Sequence, residues 1–382
     1  MSEIRANGRK TWFQIHKWIG LILLVMLIPI SASGSLLVWH DWTDSLVNPQ
    51  RYAVGAVRAG LPPEDYLAAA HAALQTGDRI ASIDFPREPG KPVVVAVSPA
   101  PAPGERAQPG PPARYQLWLD PADARLLDKA DARGGLLRTL HVFHGNLMVP
   151  GVGRTIVGWL GVAMFLSCLT GIILWWPSIG GVARGLRWNR GPLTSGNIHH
   201  QLGIWIVLPL AILSLTGAVI SFPSLIRAIE GKPAAGAPRP PDRRARPAEV
   251  TALSVEKAIG AAREKAGDAD VLGLRWPTEK SPDWTVSVAR RGLVADYRID
   301  DASGTATAAP PPRGLGRFMR QLHDGTDYNV LWQTIIFLAG FAPAVLGVTG
   351  IVMWLRTRGW RARAARRGDR REPASDPQAS AR

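Results

Sequence analysis

Of the eight histidines in this 382-residue sequence, seven stand near the ends of long apolar runs, and His71 lies apart in a polar stretch. Four of the seven recur in register. His16 is followed by Gly20 and, fourteen residues further, by Gly34; His199 is followed by Gly203 and, again fourteen further, by Gly217. His144 precedes Gly171 by 27 residues, within Leu169-Thr-Gly-Ile-Ile-Leu-Trp175, and His323 precedes Gly350 by 27, within Val348-Thr-Gly-Ile-Val-Met-Trp354. A solitary histidine at a membrane edge is most simply a headgroup contact or a helix cap. The same residue type at the same offset in two halves points instead to shared chemistry, because ionisable groups at the edge of a bundle are costly and often functional.

Neutral imidazole is a good axial ligand for haem iron, and two opposed imidazoles make a six-coordinate, low-spin centre suited to electron transfer. A pseudo-two-fold axis between the halves would bring His16 to His199 and His144 to His323, giving two sites for haem b. Helix rise and membrane thickness would put the two irons roughly 20 Å apart. The glycines Gly20, Gly34, Gly171, Gly203, Gly217 and Gly350 would admit a flat macrocycle or a close neighbouring helix. His40, His141 and His200 have no partner in the repeat and are second-choice ligands. Two other readings stand beside this one. Zinc or copper would use the i, i+3 pair His141 and His144, or His40, although structural zinc prefers four ligands including thiolate; or the histidines are purely structural. The single cysteine, Cys168, sits inside an apolar run. It excludes an internal disulfide and an iron–sulfur cluster, and the absence of Cys-x-x-Cys-His excludes covalent haem attachment.

The elements that must position these residues are four apolar segments, Ile19–Trp39, Thr155–Trp176, Leu202–Phe222 and Leu331–Leu355. Each is long enough to cross a ~30 Å hydrocarbon core as a helix. Trp18, Trp39, Trp42, Trp175, Trp176, Trp332 and Trp354 fall near their ends, where indoles favour the membrane boundary. The net charge of +15 is local: the stretches before the first span, between the second and third, and after the fourth hold sixteen basic residues against four acids. By the positive-inside rule both termini and the short middle loop are cytoplasmic and the two long loops face outward. The charge is therefore a topology signal and, at the Arg-rich tail, a surface for anionic lipid, and it does not point to nucleic acid. The Ser31-Ala32-Ser33 stretch resembles a signal-peptidase site, but the apolar run continues past it and the repeat requires a retained helix.

Each long loop carries a helical pattern followed by strand-like runs: Pro63–Gln75, then Arg79–Phe85, Val93–Val97 and Tyr115–Leu119; and Val255–Lys265, then Val271–Trp276, Trp284–Ala289 and Ala295–Ile299. Each last strand ends in an aspartate, Asp120 or Asp300, and a turn. The Pro-rich stretches Pro99–Pro112 and Lys232–Pro247 read as linkers. The unit is thus helix, external α+β domain, helix, written twice. The expected fold class is a membrane α-helical bundle of four transmembrane helices with two external α+β domains, internally duplicated. Its predicted divisions are an N-terminus and first span (1–40), a first external domain (41–134), an interfacial helix and second span (135–177), and a cytoplasmic loop (178–198). Then follow the third span (199–223), a second external domain (224–313), an interfacial helix and fourth span (314–355), and an Arg-rich tail (356–382). Apolar spacing at Leu136, Leu140, Phe143 and Leu147, and at Leu315, Phe318, Met319 and Leu322, predicts short amphipathic helices that lay His144 and His323 over the mouth of the bundle.

At these residues the sequence resembles the PepSY-associated transmembrane family of iron-regulated membrane proteins. The motifs are His16-x-x-x-Gly20; His144 with Gly153-Arg154 and Thr170-Gly171-x-x-x-Trp175; His199-x-x-x-Gly203-x-Trp205-x-x-x-Pro209; and His323 with Thr349-Gly350-x-x-x-Trp354. The likeness covers nearly the whole chain, and the two loops resemble PepSY domains. More narrowly, the sequence is similar to the inner-membrane ferric-siderophore reductases of that family, of the ferrioxamine type. That resemblance implies an enzyme of the bacterial inner membrane with two haems b, passing electrons to ferric siderophore in the periplasm. No nucleotide fingerprint is present, so the expected electron donor is quinol or a separate reductase protein. Two other functions remain: a non-redox PepSY module that binds peptides or regulates a peptidase, and a cytochrome with another acceptor.

Overall fold

The computed structural model describes residues 2–56, 58–101, 114–176, 181–188, 194–231, 245–291, 293–310, 314–326 and 328–368, with the side chains of 2–7, 184 and 360–368 excepted. Both Pro-rich stretches fall almost wholly outside the described residues, as do the last part of the Arg-rich tail and Arg190. In chain order the elements are α1 (Ser2–Val38), α2 (His40–Val47), α3 (Pro63–Ala72), β1 (Arg79–Asp84), β2 (Val93–Ser98), β3 (Tyr115–Leu119), β4 (Leu126–Asp131), α4 (Gly135–Asn146) and α5 (Gly153–Trp175). They continue as α6 (Gly181–Gly185), α7 (Thr194–Ser221), α8 (Pro223–Ile229), α9 (Val255–Ala266), β5 (Asp270–Arg275), β6 (Asp283–Arg290), β7 (Leu293–Asp300), β8 (Ala306–Ala308), α10 (Leu315–Asp324) and α11 (Val330–Gly368). The chain divides into two units: Met1–Val38, Val142–Ile226 and Phe318–Arg382 in one, Trp39–His141 and Arg227–Arg317 in the other.

The first unit is a helical bundle. Its spans Gly8–Val38, Gly153–Trp175, Thr194–Ser221 and Val330–Gly359 are long and apolar enough to cross a membrane, so this is a membrane protein. Each helix runs past the predicted apolar core: the third starts at Thr194, before His199, and the fourth carries on into the Arg-rich tail. Apolar periodicity marks where lipid contact begins, whereas the helix ends where backbone bonding stops. The spans pack as a ring in which α1 and α7 each lie against both α5 and α11. Close approach depends on glycines of α5 and α11. A β-carbon on Gly161 would sit 3.0 Å from the Ser214 carbonyl oxygen of α7, and one on Gly340 would sit 2.8 Å from the Ser31 carbonyl oxygen of α1. Leu23, Met164, Cys168 and Leu210 fill the middle of the bundle.

The second unit is an eight-stranded antiparallel sheet in the order β4-β3-β2-β1-β5-β6-β7-β8. Two separate α+β domains were expected; the strands of both loops instead form this one sheet. The seam is β1 against β5, with Ile83 opposite Leu274 and Asp84 opposite Gly273. Gly273 is required there, because a β-carbon would lie 2.8 Å from an Asp84 carboxylate oxygen. Arg79 ties the seam further, reaching Glu279 at 2.8 Å and Glu249 at 2.6 Å. One helix from each loop covers the sheet. Helix α3 opens on Pro63 with Glu64 and Asp65 in its first turn, and α9 opens on Ser254, whose hydroxyl accepts from the Lys257 amide. Tyr66, Ala70, Ala258 and Ala262 of these helices are fully buried with Ile83, Val93, Val95, Val97, Leu117, Leu119 and Val286 of the sheet.

The six predicted strands are present within a residue or so of their expected bounds. The sheet also has β4 and β8, which the sequence reading missed. Strand β4 (Leu-Leu-Asp-Lys-Ala-Asp) lacks apolar alternation and β8 has three residues, as suits edge strands. Asp120 and Asp300 are where the chain turns into them: Asp120 accepts from the Ala122 amide at 2.9 Å, and Asp300 accepts from the Ser303 amide at 2.8 Å.

Candidate functional site

Four imidazoles meet in two pairs inside the bundle. His16 of α1 and His199 of α7 have ring centroids 6.4 Å apart with planes at 87°. His144 of α4 and His323 of α10 have centroids 6.0 Å apart with planes at 40°. These are the two pairs expected from the repeat. The second pair corrects one expectation: the rings do not lie over the mouth of the bundle but enter between spans. His144 reaches the Ile30 carbonyl of α1, and His323 reaches the Leu213 carbonyl of α7. Each of those carbonyls lies eight residues, or about 12 Å of helix, inside the end of its span. Amphipathic spacing revealed the short helices but not how deeply their last turns reach.

One construction holds all four rings. The Nδ1 of His16 lies 3.1 Å from the Ser167 carbonyl oxygen and 3.0 Å from Thr170 Oγ1. His199 Nδ1 lies 3.0 Å from the Leu346 carbonyl oxygen and 3.1 Å from Thr349 Oγ1. His323 Nδ1 lies 3.1 Å from the Leu213 carbonyl oxygen and 3.0 Å from Thr216 Oγ1. His144 Nδ1 lies 2.8 Å from the Ile30 carbonyl oxygen, which also accepts from Ser33 Oγ at 2.7 Å. A carbonyl oxygen has no proton, so Nδ1 is the donor in every case. The lone pair of each ring is therefore on Nε2, the nitrogen suited to bind a metal.

The residue after each hydroxyl is glycine: Ser33-Gly34, Thr170-Gly171, Thr216-Gly217 and Thr349-Gly350. A β-carbon at these glycines would meet the imidazole Cε1 at 2.6 Å (Gly34 and His144), 3.3 Å (Gly171 and His16), 2.9 Å (Gly217 and His323) and 3.8 Å (Gly350 and His199). Gly34, Gly171 and Gly217 seat their rings closely, and Gly350 stands in ordinary contact with His199. Gly20 and Gly203 do not: nothing lies within 4 Å of a β-carbon on Gly20, and only Leu346 Cδ2, at 3.9 Å, approaches Gly203. The role of Ser33 and Thr216 went unread in the sequence, although a hydroxyl–glycine step in every span was the available signal.

The three second-choice histidines are placed differently. His40, on α2, is an exposed side chain 3.0 Å from the Asp41 carboxylate. Asp41 also pairs with Lys91. The hydrogen bond to Asp41 raises the His40 pKa, and the same bond, with Lys91 adding to it, holds Asp41 well below the ordinary carboxylate range. His141, on α4, is exposed. His200 follows His199 on α7, so it points about 100° round the helix from it. Among the described residues no group of three or more His, Cys, Asp or Glu side chains is placed to hold a metal ion, so each pair offers two ligands and no more.

The spacing is that of two imidazoles sharing one metal. A metal–imidazole bond of about 2.0–2.1 Å, plus roughly 1 Å from that nitrogen to the ring centre, puts two axial imidazoles with centres roughly 6.1 Å apart. Both pairs are close to that separation. No curated protein matches the sequence. The family described as the PepSY-associated TM region matches residues 13–357, which takes in nearly all of the four spans, all four paired histidines and the whole sheet. The chain belongs to the PepSY-associated transmembrane family.

Proposed function

We propose that this protein is a dihaem b-type reductase of the bacterial inner membrane that passes electrons outward to ferric siderophore. The observation that carries the reading is the pair of imidazole–imidazole separations, 6.4 Å and 6.0 Å, with Nδ1 of every ring turned to a carbonyl. His16 and His199 would hold one haem, His144 and His323 the other. Bound there, the haems supply a reversible one-electron iron couple. The chain's own part is to fix four neutral rings in one tautomer and to exclude bulky side chains beside them, through Gly34, Gly171, Gly217 and Gly350. Along α1 the level of His16 and that of Ile30 to Gly34 are about 21 to 27 Å apart, which suits one site near each membrane face.

The basic residues flanking the spans favour His16 and His199 on the cytoplasmic side, where a quinol or reductase protein is the donor. His144 and His323 then lie toward the periplasm. Hard oxygen donors of a siderophore hold Fe(III) far better than Fe(II), so one electron delivered to the chelate releases iron. The recurrence of one histidine-holding construction in both halves supports an internal duplication, each half comprising helix, α+β portion and helix.

The test is the absorption spectrum of the full-length protein in detergent. A Soret band with sharp α and β bands after dithionite, and loss of about one haem in each of the variants H16A, H199A, H144A and H323A, is the expected result. A colourless preparation sinks the haem reading and leaves the non-redox PepSY module. Anaerobic mixing of reduced protein with ferric siderophore and a ferrous chelator then tests the substrate. Haem that stays reduced there excludes siderophore as the acceptor.

A further inference from the structure

We propose that the threonine hydroxyl in three of the hydroxyl–glycine steps is a positioning residue that sets the tautomer and electron density of one histidine: Thr170 for His16, Thr349 for His199 and Thr216 for His323. This rests on the haem reading for its redox consequence and on geometry alone for the tautomer. Thr170 Oγ1 is 2.9 Å from the Ser167 carbonyl oxygen, Thr349 Oγ1 is 2.8 Å from that of Val345, and Thr216 Oγ1 is 2.7 Å from that of Ile212. A hydroxyl has one proton. With that proton given to its own helix, each threonine turns only lone pairs toward the imidazole 3.0 to 3.1 Å away.

Each of these three Nδ1–H groups therefore faces two acceptors, a carbonyl and a hydroxyl. The other tautomer would set a bare nitrogen lone pair against a carbonyl lone pair, and a flipped ring would set carbon there. Either loses hydrogen bonds inside a bundle where water offers none in return. Donation from Nδ1 also makes Nε2 a stronger ligand. A stronger imidazole ligand favours the ferric state and lowers the midpoint potential. Thr170 and Thr349 address the His16–His199 pair, and Thr216 addresses His323.

A threonine in a membrane helix commonly bonds to its own preceding turn and does nothing else. That plain role predicts no effect on the histidines. The deciding variants are T170V, T349V and T216V, which keep shape and remove the acceptor, with T170S, T349S and T216S to restore it. In the haem-loaded full chain, T170V and T349V are expected to raise the ferrous-to-ferric ratio of one haem about fivefold at a fixed applied potential, roughly what one hydrogen bond is worth. T216V is expected to do the same to the other haem only, and the serine variants to return both to wild type. In haem-free protein labelled with nitrogen-15 at histidine, the valine variants are expected to lose the uniform Nδ1–H tautomer at His16, His199 and His323 respectively. Valine variants with wild-type potentials and wild-type tautomers would overturn the proposal. A protein that takes up no haem but shows the tautomer changes refutes the haem reading instead, and leaves the positioning role standing.

Discussion

The His323 imidazole lies so close to Gly217 that a β-carbon there would come within 2.9 Å of its Cε1. His144 stands over Gly34 more tightly still, at 2.6 Å. Neither distance is tolerable to a real methyl group, so one of the two partners must move. G34A and G217A are each expected to displace a ring and cost about one haem per chain. G350A, whose methyl would stand 3.8 Å from His199 in ordinary contact, is expected to keep both. The pyridine haemochrome assay on purified protein reads all three; equal haem content across the set would contradict this assignment of the glycines.

Helix packing makes a separate prediction. A methyl group on Gly340 would lie 1.9 Å from Ser35 Oγ and 2.8 Å from the Ser31 carbonyl oxygen, and only the hydroxyl can turn aside. Because Ser35 Oγ also bonds the Phe337 carbonyl at 2.9 Å, G340A must spread α1 from α11 and should destabilise the bundle by about 1–3 kcal/mol. Thermal unfolding in detergent should show the loss. Wild-type stability would mean that the two helices have slack that their contacts do not suggest.

In the sheet unit, Trp284 is 1 % exposed and its indole N–H donates to Asp301 at 2.7 Å. W284A leaves a large cavity and removes one of three donors to Asp301, whose carboxylate keeps the Ala252 and Leu253 amides, and a loss of about 3–5 kcal/mol is expected. Protease sensitivity of the sheet unit should rise sharply. Haem content is the control, since none of the four paired histidines belongs to this unit.

The His40–Asp41–Lys91 cluster has a pH signature of opposite signs. His40 has its pKa raised by Asp41, so its share of stability is complete below about pH 6.5 and is lost as pH rises through the folded value. Asp41 has its pKa depressed, chiefly by His40 and then Lys91, so its share is present above about pH 4 and is lost as pH falls. Protection of the α2 amides, taken as the ratio of intrinsic to observed exchange rate at each pH, should therefore peak in mildly acidic solution and fall to either side. In H40N the fall on the alkaline side should vanish.

How much of this was legible in the sequence depended on the reach of the interaction. Membrane spans and strands such as Val93–Ser98 are written in local composition, and the two histidine pairs are written in repeat offsets. The depth of His144 is not, because it depends on where α4 stops relative to Ile30, more than a hundred residues away in sequence. Ser33 escaped notice because three spans use threonine at that place and the first uses serine, so the likeness is chemical rather than literal. The single sheet escaped because the Ile83–Leu274 pairing joins two loops that look self-contained when each is read alone.

That pairing has a consequence for how the protein is made. Strand β1 has β2 on one side and β5 on the other, and β5 belongs to a loop that is synthesised only after α5 and α7 are complete. Until then β1 is a raw edge of backbone donors and acceptors, the kind of edge that recruits foreign strands. The first loop must therefore wait, held unaggregated, until its other half is made. A truncation between the two halves would leave an adhesive half-sheet.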